Sequence, residues 1–189
     1  MNFYGKVAVI TGGSSGIGKS TAIELLKDKC SVVIIGRTKN RVLNTLNELK
    51  KLSSNCSAYV CDVSEEKKVE HVVREIIKKY NKIDFLINCA GYSNYKEFTE
   101  QSSEEIESIM RTNFFGTVYF CKYTIPFMKK EREGKIINIS SIAGKIGFPK
   151  FSIYCASKFA VIGFSECLYY ELKKFGIKVS VVCPGATKT

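Results

Sequence analysis

Short apolar runs alternate along the chain with longer segments in which apolar residues recur every three or four positions. The short runs are rich in Val and Ile and hold few polar residues, which is typical of parallel strands that are covered on both faces. These runs predict six strands, at Val7–Thr11, Ser31–Ile35, Ala58–Val60, Ile83–Asn88, Lys135–Ile139 and Lys178–Cys183.

The longer segments predict helices. Between residues 69 and 80 the apolar side chains fall in one stripe at helical spacing, and Ser64 is expected to cap this helix at its N-terminus. The next helix begins with Ser102-x-x-Glu105, a capping-box pattern. Asn113 interrupts the apolar stripe of that second helix, which is unexpected for a core-facing position.

Strands that alternate with helices imply right-handed βαβ crossovers and a doubly wound, Rossmann-type α/β fold. No repeat, low-complexity tract or linker divides the chain. The sequence therefore predicts a single domain over residues 1–189.

Composition narrows the class of protein. Of the 189 residues, 45% are hydrophobic and 25% are charged, a balance typical of globular domains. No apolar run is long enough to cross a bilayer, and the N-terminus lacks the layout of a signal peptide, so we expect a cytoplasmic protein without an integral membrane segment. Eight cysteines without a Cys-x-x-Cys pair, and a single histidine, His71, predict reduced thiols and no metal site.

The formal net charge is +11, and the excess of basic residues is similar in the two halves of the sequence. A nucleic-acid-binding face usually shows a cluster of basic residues. We therefore expect a lysine-rich solvated surface and no nucleic-acid partner, although such a surface would still attract an anionic cofactor.

The first strand leads into a glycine-rich loop, Thr11–Gly18, in which Gly12, Gly16 and Gly18 are spaced G-x-x-x-G-x-G. Glycines at a strand-to-helix turn let the backbone approach a pyrophosphate, and the helix N-terminus attracts its charge. A tight turn without a ligand remains the alternative interpretation.

The second strand is followed by Gly36-Arg37, without the acidic residue that accepts hydrogen bonds from the ribose hydroxyls of NAD. An arginine at this position accommodates a 2′-phosphate, so Arg37 favours NADP(H) as cofactor. The alternative is an arginine that is merely solvated in its loop.

A serine pair at the end of the fifth strand, Ser140-Ser141, precedes Tyr154 and Lys158, which share one face of the next predicted helix. A phenol titrates near pH 10, and a neighbouring ammonium favours its ionised form, which makes a tyrosine a usable acid and base. Taken alone, the pair also fits a packed tyrosine beside a surface lysine.

Together these features resemble the short-chain dehydrogenase/reductase family over essentially the whole chain. The matching motifs, in the order typical of the family, are Thr11–Gly18, Asp62-Val63, Asn88-Cys89-Ala90-Gly91, Asn113, Ser141, Tyr154, Lys158 and Pro184-Gly185. Cys89 departs from the pattern, because the family commonly has a second asparagine there.

The resemblance implies a role for each catalytic residue. Tyr154 would act as the general acid and base, Lys158 would favour its phenolate and bind the nicotinamide ribose, and Ser141 would polarise the substrate carbonyl. Asn113 would anchor a water in a proton relay. Hydrogen bonding of Asn113 to neighbouring backbone is a compatible structural alternative.

The resemblance also implies a set of cofactor-binding residues. Asp62 would accept from the adenine amine, Val63 would pack on the ring, and Pro184, Gly185 and Thr189 would border the nicotinamide. The full set is Gly12, Ser14, Ser15, Gly16, Ile17, Gly18, Arg37, Asp62, Val63, Asn88, Ala90, Gly91, Tyr154, Lys158, Pro184, Gly185 and Thr189.

Family members have the strand order 3-2-1-4-5-6 and continue beyond the position of Thr189 with a helical lid, another helix and a seventh strand. The resemblance thus predicts six strands with the seventh missing, in a chain truncated at its C-terminus. The helix from Ile153 to Leu172 is apolar on most sides, and the family builds dimer contacts there and in the helix at 102–130. A homodimer or homotetramer is expected, with a monomer as the alternative.

Three classes of function follow. The first is an oxidoreductase that moves a hydride between NADP(H) and a small-molecule carbonyl or secondary alcohol. Its narrower forms are reduction of a 3-oxoacyl thioester on acyl carrier protein and reduction of a sphingoid-base, steroid-like or other lipophilic ketone. Gly147–Phe151 could supply an apolar wall for a lipophilic substrate, or simply pack as a loop. The second is a non-catalytic NADP-binding fragment, and the third is a nucleic-acid-binding protein.

Overall fold

The computed structural model of the chain describes residues 3–187. The strands are β1 (Val7–Thr11), β2 (Ser31–Gly36), β3 (Cys56–Val60), β4 (Phe85–Asn88), β5 (Gly134–Ile139) and β6 (Ile177–Val182). The helices are α1 (Gly16–Lys27), α2 (Lys39–Leu52), α3 (Glu66–Tyr80), α4 (Ser103–Met110), α5 (Gly116–Glu131) and α6 (Ser152–Lys173). A π-helical turn, Arg111–Phe115, joins α4 to α5.

All six strands form one parallel sheet in the order β3-β2-β1-β4-β5-β6, which confirms the predicted Rossmann-type fold. The chain proceeds outward from β1 in one direction as far as β3, then returns to β4 and proceeds in the other direction. In such sheets a cleft opens above the carboxyl ends of the strands where the direction reverses. Here that point lies between Thr11 of β1 and Asn88 of β4, which are paired in register.

Successive side chains of each strand point to opposite faces of the sheet, so each strand serves two cores. Val9, Val33 and Leu86 pack in a cluster with the inner faces of α3, α5 and α6. Ile10 and Ile34 pack on the other face with α1 and α2. Each of these fully buried side chains contributes roughly 1.5–3 kcal/mol, which fixes the strand ends that carry the loops above.

The N-terminus of α3 differs from the prediction. The helix begins at Glu66 after an N-cap at Glu65, so the expectation that Ser64 caps it was wrong. Instead the hydroxyl and the amide of Ser64 donate to the carboxylate of Asp62, at 2.7 and 3.0 Å. The Asp62 side chain thus forms a local turn with Ser64, and the first helical amides bond the carbonyl of Glu65.

The capping box at α4 is confirmed. The hydroxyl of Ser102 accepts from the amide of Glu105 at 3.3 Å, and the carboxylate of Glu105 accepts from the amide of Ser102 at 2.8 Å. The box sets the start of the long helical segment that carries Asn113.

The outer face of α6 is less buried than its sequence suggests. Phe159 and Tyr169 are 46% and 44% exposed, and Phe115 at the start of α5 is 40% exposed. The homodimer or homotetramer expected from these helices stays a prediction. No helix within residues 3–187 combines the length and the hydropathy needed to span a membrane.

Candidate active site

The glycine loop brings the end of β1 against the loop after β4. Gly12 has a φ of +65°, and a Cβ placed on it would lie 2.9 Å from both the N and the Cα of Ala90. A Cβ on Gly18 would lie 2.5 Å from the carbonyl oxygen of Gly12. Glycine is therefore required twice, once for close approach between two loops and once for packing α1 against its own loop.

Replacing Gly12 with Ala tests this close approach, with Gly5→Ala as the matched control. Gly5 has a similar φ of +73° but no atom within 4 Å of a built Cβ. Both variants should lose about 1–2 kcal/mol of unfolding free energy from left-handed backbone strain. Gly12→Ala should lose about 1–3 kcal/mol more, because the Ala90 backbone must move. Urea unfolding measures both losses, and equal losses would mean that the two loops separate without cost.

The first turn of α1 opens into the cleft. Ser15, at the N-cap, makes no side-chain hydrogen bond to that turn. Ser15, Gly16 and Ile17 line the cleft. The free amides of a helix N-terminus attract anions through hydrogen bonding and the helix dipole. Across the cleft floor, the hydroxyl of Thr11 accepts from the amides of Cys89 and Ala90, at 3.0 and 3.1 Å.

Arg37 and Asp62 meet beyond the end of β2. One guanidinium nitrogen of Arg37 lies 3.7 Å from the carboxylate of Asp62, and Arg37 is 66% exposed. Partial burial works against ionisation of Asp62, but the hydrogen bonds from Ser64, helped by the charge of Arg37, outweigh it and lower the pKa of this carboxyl. An exposed pair at this distance is weak, so the guanidinium remains available to a stronger anionic partner.

Asn113 is buried, and both its amide nitrogen and its carbonyl oxygen bond protein groups. Its carbonyl oxygen accepts from the amide of Tyr92 at 2.9 Å, while its amide nitrogen donates to the carbonyl of Tyr92 at 2.9 Å and to the hydroxyl of Ser157 at 3.0 Å. The hydroxyl of Ser157 in turn donates to the carbonyl of Tyr154 at 2.7 Å. The backbone-bonding alternative for Asn113 describes these contacts, and they tie the π-helical turn to the helix that carries Tyr154 and Lys158.

Lys158 is almost completely buried beside the cleft. Its ammonium donates to the carbonyl of Ile139 at 2.9 Å and lies 5.8 Å from the centre of the Tyr154 ring. Burial disfavours the charged form and lowers the pKa of Lys158 to about 8. Gly91 leaves room for the ammonium, because a Cβ there would lie 3.3 Å from it.

Ser141 and Tyr154 line the same cleft as Lys158, a cavity of about 580 Å³ above the strand ends. The hydroxyl oxygen of Ser141 accepts from the amide of Ala143 at 3.1 Å, which leaves the hydroxyl hydrogen free to point elsewhere. The neighbouring Ser140 is buried, and its hydroxyl donates to the carbonyl of Lys158 at 2.9 Å. Both serines line the cleft, but only the hydroxyl of Ser141 keeps its hydrogen available for a ligand there.

The cleft brings together most of the predicted site residues. Those lining it are Gly12, Ser15, Gly16, Ile17, Ala90, Gly91, Ser141, Tyr154, Lys158, Pro184 and Gly185. Phe148 and Phe151, from the predicted apolar wall, line it as well.

The other predicted residues lie around or beneath the cleft. Ser14 stands beside Gly36, with its hydroxyl 2.9 Å from a Cβ built there. Val63 is 5% exposed and packs in the core, where its side chain would contact a Cβ on Gly116. Asn88 is buried and donates to the side chain of Asn138 at 2.9 Å. Thr189 lies outside the described residues.

Three residues that shape the site were not among the predicted site residues: Thr11, which was named only as the start of the glycine loop, Ile139 and Ser157. Thr11 and Ile139 act at the ends of their strands, and the carbonyl of Ile139 carries no signal in a sequence. Ser157 lies inside the Tyr154–Lys158 motif, one position before the lysine. That position faces Asn113 rather than the cleft, a fact that only the packing of α6 against the π-helical turn reveals.

These residues fit a dinucleotide. Three features lie along one cleft: a helix N-terminus without a side-chain cap, a glycine required by the close approach of two backbone segments, and a buried ammonium that donates to one carbonyl oxygen. The helix N-terminus and the ammonium are suited to an anionic or hydroxyl-bearing ligand, and the glycine lets its loop approach the loop after β4.

The sequence matches the family described as short chain dehydrogenase over residues 6–189. It is 37% identical to the 3-ketodihydrosphingosine reductase of Mus musculus over 98% of this chain and 57% of that protein. It is 32% identical to the 3-oxoacyl-[acyl-carrier-protein] reductase FabG of Thermotoga maritima, over 100% of this chain and 77% of that protein. The chain spans less than two thirds of the length of the mouse reductase.

Solved structures are similar as well. An NAD+-bound xylitol dehydrogenase superposes with a TM-score of 0.96 at 27% identity, covering 100% of this chain and 73% of that one. A point variant of actinorhodin polyketide ketoreductase with NADPH superposes with a TM-score of 0.94 at 32% identity, covering 97% of this chain and 71% of that one.

Proposed function

The chain belongs to the short-chain dehydrogenase family, and from this membership we propose that it moves a hydride between NADP(H) and a carbonyl or secondary alcohol. The observation that supports this most is the lining of one cleft by Ser141, Tyr154 and Lys158 together with the glycine loop. A phenol, a hydroxyl and an ammonium beside a dinucleotide-binding loop are the groups that carbonyl reduction requires.

The dinucleotide supplies or accepts the hydride when it is bound. The amides of Ser15, Gly16 and Ile17 would bind its pyrophosphate at the start of α1. Lys158 would bind the nicotinamide ribose, and Arg37 would bind the 2′-phosphate of NADP(H). The ion pair between Arg37 and Asp62 is weak, because their nearest atoms are 3.7 Å apart at an exposed site. A phosphate would therefore displace Asp62 from the guanidinium.

Tyr154 moves the proton. Its hydroxyl donates a proton to the substrate oxygen as that oxygen gains negative charge, and in the reverse direction its phenolate accepts one. The phenolate left behind is stabilised by the Lys158 ammonium, which the carbonyl of Ile139 holds in position. Because the oxygen of Ser141 is occupied by the amide of Ala143, its hydroxyl hydrogen is available to the substrate oxygen.

The substrate we propose is a lipophilic ketone. Ile142, Phe148 and Phe151 give the cleft an apolar wall next to Tyr154. Two of the similar proteins are named for substrates with a sphingoid or an acyl chain, the 3-ketodihydrosphingosine reductase of mouse and the 3-oxoacyl-[acyl-carrier-protein] reductase of Thermotoga maritima. A 3-oxoacyl thioester is the second candidate.

The test is oxidation of NADPH, followed at 340 nm, with a panel of carbonyl compounds. We expect turnover with a long-chain 3-keto amino alcohol and little with a short polyol-derived ketone. Faster turnover of a 3-oxoacyl thioester would favour the second candidate. Tight binding of NADPH without turnover of any member of the panel would contradict the enzymatic proposal and favour a non-catalytic NADP-binding fragment.

Replacing Arg37 with Asp should reverse the cofactor preference. The variant loses a charged hydrogen bond to the 2′-phosphate and gains a carboxylate that accepts from ribose hydroxyls. We expect the ratio of the NADPH and NADH dissociation constants to change by about tenfold to a hundredfold toward NADH. Arg41→Asp, an equal charge change in the first turn of α2, is the control. Equal shifts in the two variants would mean that Arg37 reads no phosphate.

A further inference from the structure

Every helix that leads into a strand ends in basic residues. Lys27 closes α1, Lys50 and Lys51 close α2, and Lys78 and Lys79 close α3. Lysines also close the last two long helices, at Lys129 and Lys130 of α5 and at Lys173 of α6. Because all strands are parallel, these five helix ends lie at the end of the sheet where the strands begin, opposite the cleft.

Contacts between neighbouring loops make this end of the sheet one continuous surface. On one side the amide of Phe3 donates to the carbonyl of Asp28 at 2.8 Å, and the amide of Val32 donates to the carbonyl of Asn55 at 2.9 Å. Lys6 lies 2.9 Å from Asp84 and 3.0 Å from Glu133, so that the starts of β1, β4 and β5 are linked. Lys135 and Lys178 are paired in register on β5 and β6. The ammonium of Lys129 lies 4.4 Å from the centre of the Phe175 ring, which joins α5 to the loop before β6.

We call this surface the basic pole. It comprises the last three residues of each of the five helices, the loops that follow, and the first two residues of each strand; the ranges are 3–8, 25–32, 50–57, 78–86, 129–135 and 171–178. The basic pole holds 15 of the 29 basic residues and five of the 18 acidic ones, and therefore +10 of the net charge of +11. Charge that is even along the sequence is concentrated in space.

Few of these cations are neutralised by ion pairs. Lys6, Lys27 and Lys82 pair with carboxylates, and the other twelve form no ion pair within residues 3–187. A lysine or two at a helix C-terminus complements the helix dipole. That local effect accounts for each helix end separately, but not for Lys135 and Lys178, which lie on strands.

The chemistry of the basic pole favours a diffuse anionic surface over docked phosphates. Fourteen of its fifteen cations are lysines, which are flexible point charges, and only Arg132 offers a planar, bidentate donor. Five helices present their C-terminal carbonyls there, whereas ordered phosphates bind at helix N-termini and free amides. Six strands make this face roughly 24 Å wide, and a face of that width fits a flat partner surface better than a groove.

We propose that the basic pole binds the surface of a bilayer that contains anionic phospholipids. The attraction is electrostatic, acts through lysines close to the head groups, and needs no inserted segment. The cleft lies at the other end of the sheet and stays open to water. Binding of vesicles is therefore compatible with binding of cofactor.

The experiment is sedimentation of the chain with vesicles of phosphatidylcholine alone or with 30% phosphatidylserine, at 0.1 M and 0.5 M NaCl. The test variant replaces Lys51, Lys78, Lys130 and Lys173 with Gln, one lysine from the last turn of each of four helices. The control variant removes the same charge elsewhere, by replacing Lys67, Lys68, Lys122 and Lys150 with Gln. Thermal melting and the NADPH dissociation constant confirm that both variants are folded.

The wild-type chain should bind the anionic vesicles at low salt, release them at high salt and ignore phosphatidylcholine. A lysine near such a surface contributes about fivefold to binding, so the test variant should bind a hundredfold or more weaker, and the control variant much less so. Equal losses in the two variants, or no binding by the wild type, would overturn the proposal. The proposal would also be overturned if the wild-type chain bound a 20-base-pair DNA duplex more tightly than the anionic vesicles and the test variant lost that duplex binding. That result would identify the basic pole as a nucleic-acid-binding face.

Discussion

Replacing Tyr154 with Phe is expected to lower kcat/KM for carbonyl reduction by about 10²- to 10⁴-fold, the usual contribution of a general acid. Phenylalanine keeps the ring that packs 6.1 Å from Phe151 and removes only the hydroxyl. The substrate oxygen would then gain negative charge without the proton donor that Tyr154 places beside it. NADPH should still bind, because the start of α1, Lys158 and Arg37 keep their proposed contacts with the cofactor when the phenol hydroxyl is removed.

Steady-state kinetics and a fluorescence titration with NADPH measure the two effects separately. Tyr170→Phe is the matched control, since it removes a hydroxyl from an exposed position on the same helix. A Tyr154→Phe enzyme with near-normal kcat would contradict the acid–base role. A loss confined to cofactor binding would assign the hydroxyl to the dinucleotide instead.

Replacing Lys158 with Met is expected to lower both turnover and cofactor affinity. The ammonium is the one cation that the structure places in the cleft lining among residues 3–187, and the carbonyl of Ile139 fixes its position. Its loss removes the charge that stabilises the Tyr154 phenolate and a donor for the nicotinamide ribose. We expect kcat to fall by at least about a hundredfold and the NADPH dissociation constant to rise. Retention of both would remove Lys158 from the site.

The same variant should change the pH dependence of stability. The pKa of Lys158 is lowered to about 8 by burial, so between pH 8 and 10.5 the unfolded chain holds more protons at this site than the folded one. The folded state is thus penalised in full below pH 8 and recovers stability as pH rises toward 10.5. The unfolding free energy of the wild type minus that of Lys158→Met should increase by about 2 kcal/mol from pH 7.5 to 10. A flat difference would mean that the ammonium is not desolvated.

Much of the fold follows from the sequence because each level of the pattern agrees with the next. The near-continuous apolar runs reproduce the six strands to within two residues at each end, and the capping box fixes the start of α4. The strand order follows once the motifs identify the family. The glycine loop, Tyr154 and Lys158 then fall at strand ends or on one helix face, where the topology brings them to one cleft.

The remainder depends on contacts between distant segments. Ser64 has the residue type of an N-cap, but its hydroxyl and amide bond the carboxylate of Asp62 and the helix begins after Glu65. Asn113 stands out in an apolar stripe, yet its partners, Tyr92 and Ser157, are 21 and 44 residues away. The π-helical turn that presents Asn113 has no signature in the residues that form it.

The position of the basic pole bears on how fast a coenzyme finds its site. The strands have four to six residues, so the two ends of the sheet are roughly 13–20 Å apart. This is more than the roughly 8 Å over which salt at physiological concentration screens a charge. The rest of the chain, which includes the cleft, has 14 basic and 13 acidic residues and is nearly neutral. A dinucleotide approaching the glycine loop is therefore not steered by the net charge of the protein, and its capture depends on diffusion and on the short reach of Arg37.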